Sequence, residues 1–375
     1  MPRPLNVLRV ITWLPVGGIE RKIAAVLPRL DRNLFNPRVV CLRERGPLAD
    51  DLEASGVPVD VCPFKSRLSP SGIWRLAGLM KQHKIDIVHA HMYRSNTPAT
   101  VAAKLAGVPV VIAHVHNVNT WETRRQLMMD RFLSRWRQVM VGVSDRVRQD
   151  IVNQLHLPSD KTRTLYNGVD IERFQDNSLR APMRKTLGIA DNELVIINHG
   201  RLVSQKNPQV FIRVAEEIAK TRQNVRILIA GDGGLREELE KIAAQKSVAD
   251  KIQFLGKRDD IPELLQAADL YMMASFKEGF SNALIEAMAA GLPVVATDVG
   301  GNAEAVEQGK SGVIVPPHDD DAFVAAVARL VDNADERARL SEGARTRAQR
   351  FSLNNMVAEV QALYLELAQK AKLAV

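Results

Sequence analysis

Residues 270–289, LYMMASFKEGFSNALIEAMA, combine a short apolar run, a polar loop and an apolar helix pattern. The pattern predicts a strand over residues 270–273 and a helix that either Ser281 or Asn282 caps. A strand joined to a helix in this way is the building unit of a parallel α/β sheet. Glu278 falls in the loop and Glu286 inside the helix, with free backbone N–H groups between them. This arrangement suits a polyhydroxylated ligand that carries phosphate.

The same alternation of short apolar strands and amphipathic helices continues along all 375 residues. In the first half, the predicted strands are Leu5–Ile11, Arg38–Cys41, Ile85–His89, Val110–Ala113 and Val139–Val143, with helices around 18–30, 70–83, 95–106, 121–135 and 145–154. In the second half, the predicted strands are Leu194–Asn198, Val225–Ala230, Ile252–Leu255, Leu270–Met273, Val294–Ala296 and Gly312–Val315. The repetition predicts two doubly wound α/β sheets with ligand sites at the carboxyl ends of the strands.

The length of the chain exceeds what one hydrophobic core usually holds, so two domains are expected. A polar, irregular stretch follows Asn167-Gly-Val-Asp170 and separates the two series of strands. We therefore assign residues 1–180 to an N-terminal Rossmann-like domain and residues 181–352 to a C-terminal one. A long helix predicted from Ser352 to about Lys372 crosses back to the first domain, which adds residues 353–375 to it.

The composition is that of an ordinary soluble globular protein, with 46% hydrophobic and 25% charged residues. Cys41 and Cys62 are the only cysteines, so no disulfide framework supports the fold and a reducing compartment is expected. The N-terminus shows no signal-peptide pattern, and no run of about 18 apolar residues predicts a membrane span. We expect a cytoplasmic protein, either free or peripheral on the inner face of the plasma membrane.

The net charge of +8 is unevenly distributed, because Lys and Arg exceed Asp and Glu up to residue 185 and are outnumbered after it. This asymmetry predicts that the first half faces an anionic partner such as a membrane surface, a lipid phosphate or an acidic glycan. A solvated basic surface is the alternative. Nucleic acid is disfavoured, because aromatic residues are only 5% of the chain and no nucleic-acid motif is present.

The segment Thr123–Arg137 predicts an amphipathic helix with basic flanks. Its apolar face contains Leu127, Met128, Phe132, Leu133 and Trp136, and its flanks contain Arg124, Arg125, Arg131, Arg135 and Arg137. A helix of this kind can lie on an anionic membrane surface. It can equally pack against its own domain and leave a solvated basic edge.

A glycine-rich or cation-rich turn follows the first predicted strand of each domain. Gly17 and Gly18 open the first helix, where the backbone either approaches a ligand closely or only makes a tight turn. Arg201 and Lys206 follow the first strand of the second domain, where they either neutralise a diphosphate or remain solvated surface charges. The turn Gly231-Asp-Gly-Gly234 lacks the G-x-G-x-x-G spacing, which argues against a nicotinamide dinucleotide and a redox reaction.

Two histidine pairs lie at the ends of predicted strands: His89 with His91, and His114 with His116. Alternation along a strand aims both members of a pair to one face, so convergence of four imidazoles on a metal ion is one interpretation. We prefer a single histidine that contacts a sugar hydroxyl or a phosphate, because no carboxylate or thiolate accompanies the four. His116, next to Asn117, suits that role better than the others.

Taken in chain order, these motifs resemble those of the glycosyltransferases of family 4, which retain anomeric configuration and have the GT-B fold of two Rossmann-like domains facing across a cleft. The resemblance extends over essentially the whole chain. It is carried by Gly17-Gly-Ile-Glu20, Ile87-Val-His-Ala-His91, His116-Asn117, Val143-Ser-Asp145, Tyr166-Asn-Gly-Val-Asp170, Gly200-Arg-Leu202, Lys206-Asn207, Gly231-Asp-Gly233, Glu278-Gly-Phe-Ser281, Glu286-Ala-Met-Ala-Ala-Gly-Leu-Pro-Val-Val-Ala296 and Gly300-Gly-Asn302 with Glu304. The most specific element is the pair of glutamates followed by Pro-Val-Val-Ala and Gly-Gly.

The resemblance implies a catalytic set of His116, Arg201, Lys206 and Glu278. Arg201 and Lys206 would bind the diphosphate of the donor, and Glu278 the hydroxyls of the donor sugar. Glu286 would bind the ribose hydroxyls. His116 would be the histidine of the cleft.

Further donor contacts follow from the same resemblance. The phosphate site would be completed by backbone N–H groups of Gly279, Phe280, Ser281 and Asn282. Arg258 would lie by the base, and Gly17 and Gly18 would approach the phosphates from the first domain. His114 competes with His116 for the place in the cleft.

We therefore predict a retaining hexosyltransferase that moves a sugar from a UDP- or GDP-sugar to a hydroxyl of a glycan or lipid-linked saccharide, in polysaccharide or lipopolysaccharide biosynthesis. No cofactor and no divalent metal are expected, because two cations and a helix N-terminus can stabilise the leaving diphosphate. Asp319-Asp-Asp321 has the spacing of a metal motif, but it follows two prolines and is better explained as a helix cap. A sugar-nucleotide epimerase or a phosphorylase of the same architecture is the alternative, whereas a non-catalytic basic binding protein leaves the acidic second half unexplained.

Overall fold

The computed structural model describes residues 3–118, 120–121 and 123–374. These residues form two compact units. The first unit ends at Gly168 and resumes at Leu353, and the second contains Val169–Ser352.

The chain enters the second unit at Val169, whose backbone N–H donates to the carbonyl oxygen of Phe351 at 3.0 Å. A few residues later, the side-chain amide of Gln266 donates to the carbonyl oxygen of Phe174. These bonds attach the segment after Gly168 to the second unit. The boundary predicted from the sequence, after residue 180, lies further along the chain.

The described residues of the first unit form a seven-stranded sheet. Its strands are β1 (Leu5–Ile11), β2 (Phe35–Cys41), β3 (Val59–Val61), β4 (Ile87–His91), β5 (Val110–Val115), β6 (Val139–Gly142) and β7 (Thr162–Thr164). The strands pair in parallel in the order β3-β2-β1-β4-β5-β6-β7. The helices between them are α1 (Gly18–Val26), α2 (Leu48–Ala54), α3 (Pro70–Gln82), α4 (Met92–Ala106), α5 (Arg124–Leu133) and α6 (Asp145–Leu155).

Both faces of this sheet are buried, as parallel sheets require. Along β1, Val7 and Ile11 point into one hydrophobic cluster, whereas Leu8 and Val10 point into the other. Arg9 shares the face of Val7 and Ile11 and is only 3% exposed. The first unit therefore contains a buried cation in a strand whose other buried residues are apolar.

The second unit contains a six-stranded parallel sheet. Its strands are β8 (Leu194–His199), β9 (Val225–Ala230), β10 (Ile252–Gly256), β11 (Leu270–Met273), β12 (Val294–Thr297) and β13 (Gly312–Val315). They pair in the order β10-β9-β8-β11-β12-β13. The helices are α7 (Arg180–Thr186), α8 (Val210–Ala219), α9 (Arg236–Gln245), α10 (Ile261–Ala267), α11 (Asn282–Ala289), α12 (Asn302–Ala305), α13 (Asp320–Asp332) and α14 (Ala334–Ala348).

The two sheets share one topology, because in both the strand order reverses beside the first strand. The reversal lies between β1 and β4 in the first unit and between β8 and β11 in the second. Open α/β sheets bind ligands at the carboxyl edge next to such a reversal. The prediction of two Rossmann-like units is confirmed, and β1, β9, β11 and β13 have the predicted bounds.

The C-terminal helix α15 (Leu353–Lys370) packs on the first unit, as predicted. Tyr364 is fully buried in the same hydrophobic cluster as β1 and meets Phe35 edge to face, with 5.7 Å between ring centroids. The side-chain oxygen of Gln361 accepts a hydrogen bond from the backbone N–H of Asp31 at 2.7 Å. Within the described residues, no helix is both long and apolar enough to cross a membrane.

The predicted basic rim of the segment Thr123–Arg137 requires one correction. Arg137 is not on the surface: its guanidinium is fully buried and pairs with Asp130 at 2.6 Å and with the hydroxyl of Thr100 at 2.9 Å. The indole N–H of Trp121 donates to the other oxygen of Asp130 at 2.9 Å. Helix α5 ends at Leu133, so the helical spacing that placed Arg137 beside the other arginines does not continue to it.

Candidate functional site

An ion pair connects the loops that follow β8 and β11 in the second unit. The ammonium of Lys206 contacts a carboxylate oxygen of Glu278, and the hydroxyl of Ser275 donates to the same oxygen at 2.8 Å. Glu278 is only 8% exposed. The two loops are also joined by the backbone, because the N–H of Phe276 donates to the carbonyl oxygen of Gln205 at 2.8 Å. Two of the predicted catalytic residues are therefore brought together.

The turn that follows β12 holds the Glu278 loop from its other side. The N–H of Gly301 donates to the carbonyl oxygen of Gly279 at 2.8 Å, and the hydroxyl of Thr297 donates to the carbonyl oxygen of Ser275 at 2.6 Å. Gly300 has a φ of +54° and lies so close that a Cβ there would overlap the carbonyl oxygen of Glu278. The sequence therefore needs glycine at this position.

Helix α11 begins directly after this loop. The hydroxyl of Ser281 accepts a hydrogen bond from the N–H of Leu284 at 3.4 Å, so Ser281 is the cap of the two predicted candidates. The first N–H groups of a helix have no intrahelical partners and carry partial positive charge. The side-chain oxygen of Asn282 is buried and has no hydrogen-bond partner within the described residues. The start of α11 thus offers backbone donors beside Glu278.

Glu286 forms a second polar pair with His199, the last residue of β8. The Nε2 atom of His199 lies 2.9 Å from a carboxylate oxygen of Glu286. The hydroxyl of Tyr271 donates to the carbonyl oxygen of His199 at 3.5 Å, and burial raises the pKa of Tyr271 well above its ordinary value. The sequence-based interpretation assigned no role to His199. Its place at the carboxyl end of a strand was the available signal.

Arg201 is exposed and its side chain makes no hydrogen bond or ion pair within the part of the chain that the structure describes. The turn after β9 packs against the backbone of the Arg201 loop, where Leu202 N–H donates to the carbonyl oxygen of Asp232 at 2.9 Å. Gly231 has a φ of +149°, and a Cβ there would overlap the carbonyl oxygen of Gly200. The glycines of this turn thus allow the loops after β8 and β9 to approach each other closely.

Arg258 is paired rather than free. Its Nε donates to a carboxylate oxygen of Asp260 at 2.7 Å, and this hydrogen-bonded pairing raises the pKa of Arg258 and lowers that of Asp260. Arg258 follows β10, which lies two strands from β8 in the sheet. The structure gives it no hydrogen bond to Lys206 or Glu278, and its contact with a base stays a prediction.

The first unit brings all four predicted histidines together at the carboxyl edge of β4 and β5. His89 lies 3.1 Å from His114, measured between Nε2 and Nδ1, and His91 lies 2.9 Å from His116, measured between Nδ1 and Nε2. His114 is buried, whereas His116 is partly exposed, so His116 is the better placed of the two to meet a ligand. We refer to these four residues as the histidine cluster.

The histidine cluster is electrostatically unfavourable for a further cation. Burial, the largest cause, lowers the pKa of all four imidazoles well below the ordinary value, and the charge of Arg9 lowers them further. Ring nitrogens of His89, His91 and His114 lie within 4.8 Å of one another, which is the geometry of a possible metal site. The guanidinium of Arg9, however, lies 2.7 Å from Nε2 of His91. A metal ion at this place would have to overcome that repulsion.

Helix α1 begins at Gly18, as predicted, and Gly17 precedes it in an extended conformation. Glu20 lies in the first turn, where burial raises the pKa of its carboxyl group. The predicted contact of Gly17 and Gly18 with donor phosphates stays a prediction.

The fold and the side chains at the strand ends are those of two Rossmann-like α/β units. Comparison with known proteins identifies the class more closely. The family model described as Glycosyl transferases group 1 matches residues 180–347, and the model described as Glycosyltransferase Family 4 matches residues 16–173. This chain belongs to the group 1 glycosyl transferases of family 4, and it is a glycosyltransferase.

Individual relatives agree with this assignment. The chain is 27% identical over 372 residues to the UDP-Gal:alpha-D-GlcNAc-diphosphoundecaprenol alpha-1,3-galactosyltransferase of Escherichia coli, covering 94% of each chain. It is 30% identical over 342 residues to the D-inositol 3-phosphate glycosyltransferase of Saccharomonospora viridis, covering 86% of this chain and 78% of the relative. These relatives do not favour the epimerase or phosphorylase alternative.

A solved structure confirms the fold. The crystal structure of HepE from Anabaena in complex with UDP superposes with a TM-score of 0.86 over 97% of this chain and 100% of that one, at 22% identity. The GT-B fold class predicted from the sequence is therefore confirmed.

The close approach at Gly300 predicts a large loss of stability on substitution by alanine. Gly300→Ala should destabilise by about 1–2 kcal/mol from the left-handed backbone and by at least about 1 kcal/mol more from overlap with Glu278. Gly309→Ala is the matched control, because Gly309 has a φ of +70° with no atom within 4 Å of a Cβ. Urea denaturation measures both free energies of unfolding. Equal losses in the two variants would mean that the overlap is relieved without cost.

Proposed function

We propose that this glycosyltransferase takes its sugar from a nucleotide-diphosphate donor bound at the carboxyl edge of the second sheet, and transfers it with retention of configuration. The observation that carries the proposal is the grouping of Lys206, Glu278 and the N-terminus of α11 on loops that follow β8 and β11. The strand order reverses between these two strands, which is where doubly wound sheets bind nucleotides.

Each group has a chemical role in this proposal. Cleavage of the glycosidic bond develops negative charge on the leaving diphosphate, which the ammonium of Lys206, the guanidinium of Arg201 and the first N–H groups of α11 stabilise. Arg201 is available for this contact, since it has no side-chain partner in the described structure. Glu278 accepts hydrogen bonds from hydroxyls of the donor sugar, and Glu286 from those of the ribose.

The pairing of Lys206 with Glu278 has a consequence for donor binding. The ammonium has three donors, so it can keep Glu278 as one partner while it turns another N–H to a phosphate oxygen. The carboxylate holds the cation in the site before the substrate arrives, which reduces the entropy lost on binding. The acceptor hydroxyl then attacks from the face that the diphosphate leaves, and a phosphate oxygen takes its proton.

UDP is the nucleotide that we propose. The name of the relative from Escherichia coli specifies UDP-Gal, and the structure of HepE contains UDP. That relative also acts on a GlcNAc-diphosphoundecaprenol, which supports a lipid-linked acceptor here, in the synthesis of a polysaccharide or lipopolysaccharide. The excess of Lys and Arg in the first half of the chain suits a diphosphate-bearing lipid.

We propose further that α5 contacts an anionic membrane. Met128 is 71% exposed and Phe132 is 43% exposed on this helix, and exposed arginines accompany them. The guanidinium of Arg135 lies 4.2 Å from the ring centroid of Phe132. Exposed apolar residues among arginines are typical of helices that lie at a membrane surface.

Lys206→Met tests the diphosphate site. We expect kcat with a UDP-sugar to fall about 10²–10³-fold, because one preorganised donor to the leaving group is lost, and UDP to bind more weakly in calorimetry. The acceptor panel should include lipid-diphosphate-linked GlcNAc. The control is Lys220→Met, since Lys220 is exposed and pairs only with the nearby Glu217. Unchanged UDP affinity in Lys206→Met would refute the proposed site.

Metal independence is the second prediction for this reaction. Release of UDP should proceed at the same rate in excess EDTA, because protein cations and α11 stabilise the leaving group without a metal ion. The measurement compares initial rates with EDTA, Mg²⁺ and Mn²⁺. A loss of turnover in EDTA that either metal ion restores would contradict this prediction.

Vesicle flotation tests the membrane contact. The wild-type protein should float with phosphatidylglycerol vesicles and not with phosphatidylcholine vesicles, and binding should weaken as salt rises. The double variant Met128→Asp, Phe132→Asp should stay unbound. Leu105→Asp, which alters a 42% exposed apolar residue on α4, should bind as the wild type does. Equal flotation of the double variant would exclude α5 as the contact.

A further inference from the structure

Arg9 places a positive charge within the core of the first unit. It lies in the middle of β1, is 3% exposed and makes no ion pair with a carboxylate among the described residues. A buried charge of this kind is costly unless hydrogen bonds compensate it. The groups around it are the neutral imidazole of His91 and the phenol of Tyr364. Arg9 is therefore a buried cation whose polar partners are neutral groups.

The hydrogen bond from Arg9 determines where His91 carries its proton. A guanidinium only donates, so Nη1 of Arg9 donates to Nε2 of His91 at 2.7 Å. A neutral imidazole that accepts at Nε2 carries its hydrogen on Nδ1. His91 therefore donates from Nδ1 to Nε2 of His116 at 2.9 Å. By the same rule, His116 carries its hydrogen on Nδ1.

A second chain of hydrogen bonds starts at Tyr364. The ring centroid of Tyr364 lies 5.6 Å from the guanidinium carbon of Arg9. Burial raises the pKa of Tyr364 to about 12, so the hydroxyl keeps its proton. The lone pairs of this hydroxyl face the guanidinium of Arg9, so its hydrogen is free to point to His89. The hydroxyl therefore donates to Nδ1 of His89 at 2.9 Å. His89 then donates from Nε2 to Nδ1 of His114 at 3.1 Å.

Both chains of hydrogen bonds end at a buried N–H that has no hydrogen-bond acceptor within the described structure. The Nδ1 atom of His116 and the Nε2 atom of His114 are buried and make no hydrogen bond within the described structure. An unpaired buried donor is costly, and a natural structure retains one chiefly where a ligand or water completes it. His116 is the more exposed of the two residues, so the chain of hydrogen bonds that ends there comes nearer to the surface.

We infer that Arg9 is a positioning residue that acts through His91 and fixes the proton of His116 on Nδ1, so that His116 presents an N–H rather than a lone pair to an oxygen of its ligand. The inference rests on the proposed function, because it takes the ligand of His116 to be the nucleotide-sugar. With the other tautomer, His116 would present a lone pair to the oxygen and repel it. Arg9 touches no substrate in this account.

The same cation keeps the histidine cluster neutral. The charged and titratable groups that face His91 and His116 are Arg9 on β1, Lys22 on α1, His89 on β4 and His114 on β5. Burial is the largest cause of the low pKa values of His91 and His116, and the charges of Arg9 and Lys22 lower them further. Loss of Arg9 therefore raises both pKa values toward the ordinary range.

The wild-type protein by itself tests the assignment. Long-range ¹H–¹⁵N spectra of protein labelled with ¹⁵N-histidine distinguish a protonated from an unprotonated ring nitrogen. We expect His91 and His116 to carry hydrogen on Nδ1 alone, without change between about pH 6 and about pH 8, a range that brackets the ordinary histidine pKa. Single variants His91→Gln and His116→Gln assign the signals. A proton on Nε2 of His116 would overturn the inference.

Variants of Arg9 test its role. In Arg9→Met, Nε2 of His91 loses its donor, so the spectra should show mixed tautomers for His91 and His116 and a new titration as the pH falls. Arg9→Lys restores a group that only donates and should restore the Nδ1–H form. Arg137→Met is the matched control, because it removes another buried guanidinium of the same unit and should destabilise the fold without changing either histidine. Wild-type spectra in Arg9→Met, or unrestored spectra in Arg9→Lys, would refute the role of Arg9.

Kinetics and ligand binding separate this inference from the proposed function. Arg9→Met should lower kcat by about tenfold or more and change KM for the UDP-sugar much less, since proton placement affects the reacting state most. A fall in kcat that Arg137→Met reproduces would instead indicate general destabilisation and contradict the inference.

The His116 signal should shift with UDP-glucose. If UDP-glucose bound and left this signal unmoved, the ligand assigned to His116 would be wrong while the proposed function stood. If neither UDP nor UDP-glucose bound, the proposed function would fail while the tautomer result stood.

Discussion

The ion pair between Lys206 and Glu278 is the constraint on which the candidate site depends. It joins the loops after β8 and β11, the two strands between which the order of the second sheet reverses. Glu278 is almost fully buried, so its charge is tolerated because Lys206 and Ser275 donate to it. The glycine turn after β12 lies against the same loop, and α11 begins directly after that loop. One buried carboxylate thereby orders the cation, the loop and the helix N-terminus together.

The first unit has the same topology and uses its carboxyl edge differently. Its polar residues there are imidazoles around one guanidinium, without a carboxylate to balance the charge within the described residues. Burial and the nearby cation keep these imidazoles neutral, which makes them hydrogen-bond donors and acceptors of fixed direction rather than charges. The shared strand order explains where both polar groups lie. The side chains differ, because one edge carries an ammonium paired with a carboxylate and the other carries neutral imidazoles.

Local patterns predicted the strands well, because strands of a buried parallel sheet are short apolar runs between polar loops. The strands β1, β9, β11 and β13 were predicted at their observed bounds. The edge strands β3 and β7, with three residues each, were not predicted, since so short a run shows no periodicity. Arg137 was wrongly placed on a basic surface, because helical spacing was extended beyond Leu133 into a segment that turns inward to Asp130.

The sequence by itself determined the succession of strands and helices, the capped start of α11 and the family, because these depend on residues close together in the chain. Only the tertiary structure decided that Lys206 meets Glu278, that His199 meets Glu286 and that Arg9 lies against the histidine cluster. Each of these contacts joins residues more than seventy positions apart. Their distances depend on the order in which the strands pair, and local sequence patterns contain no record of that order.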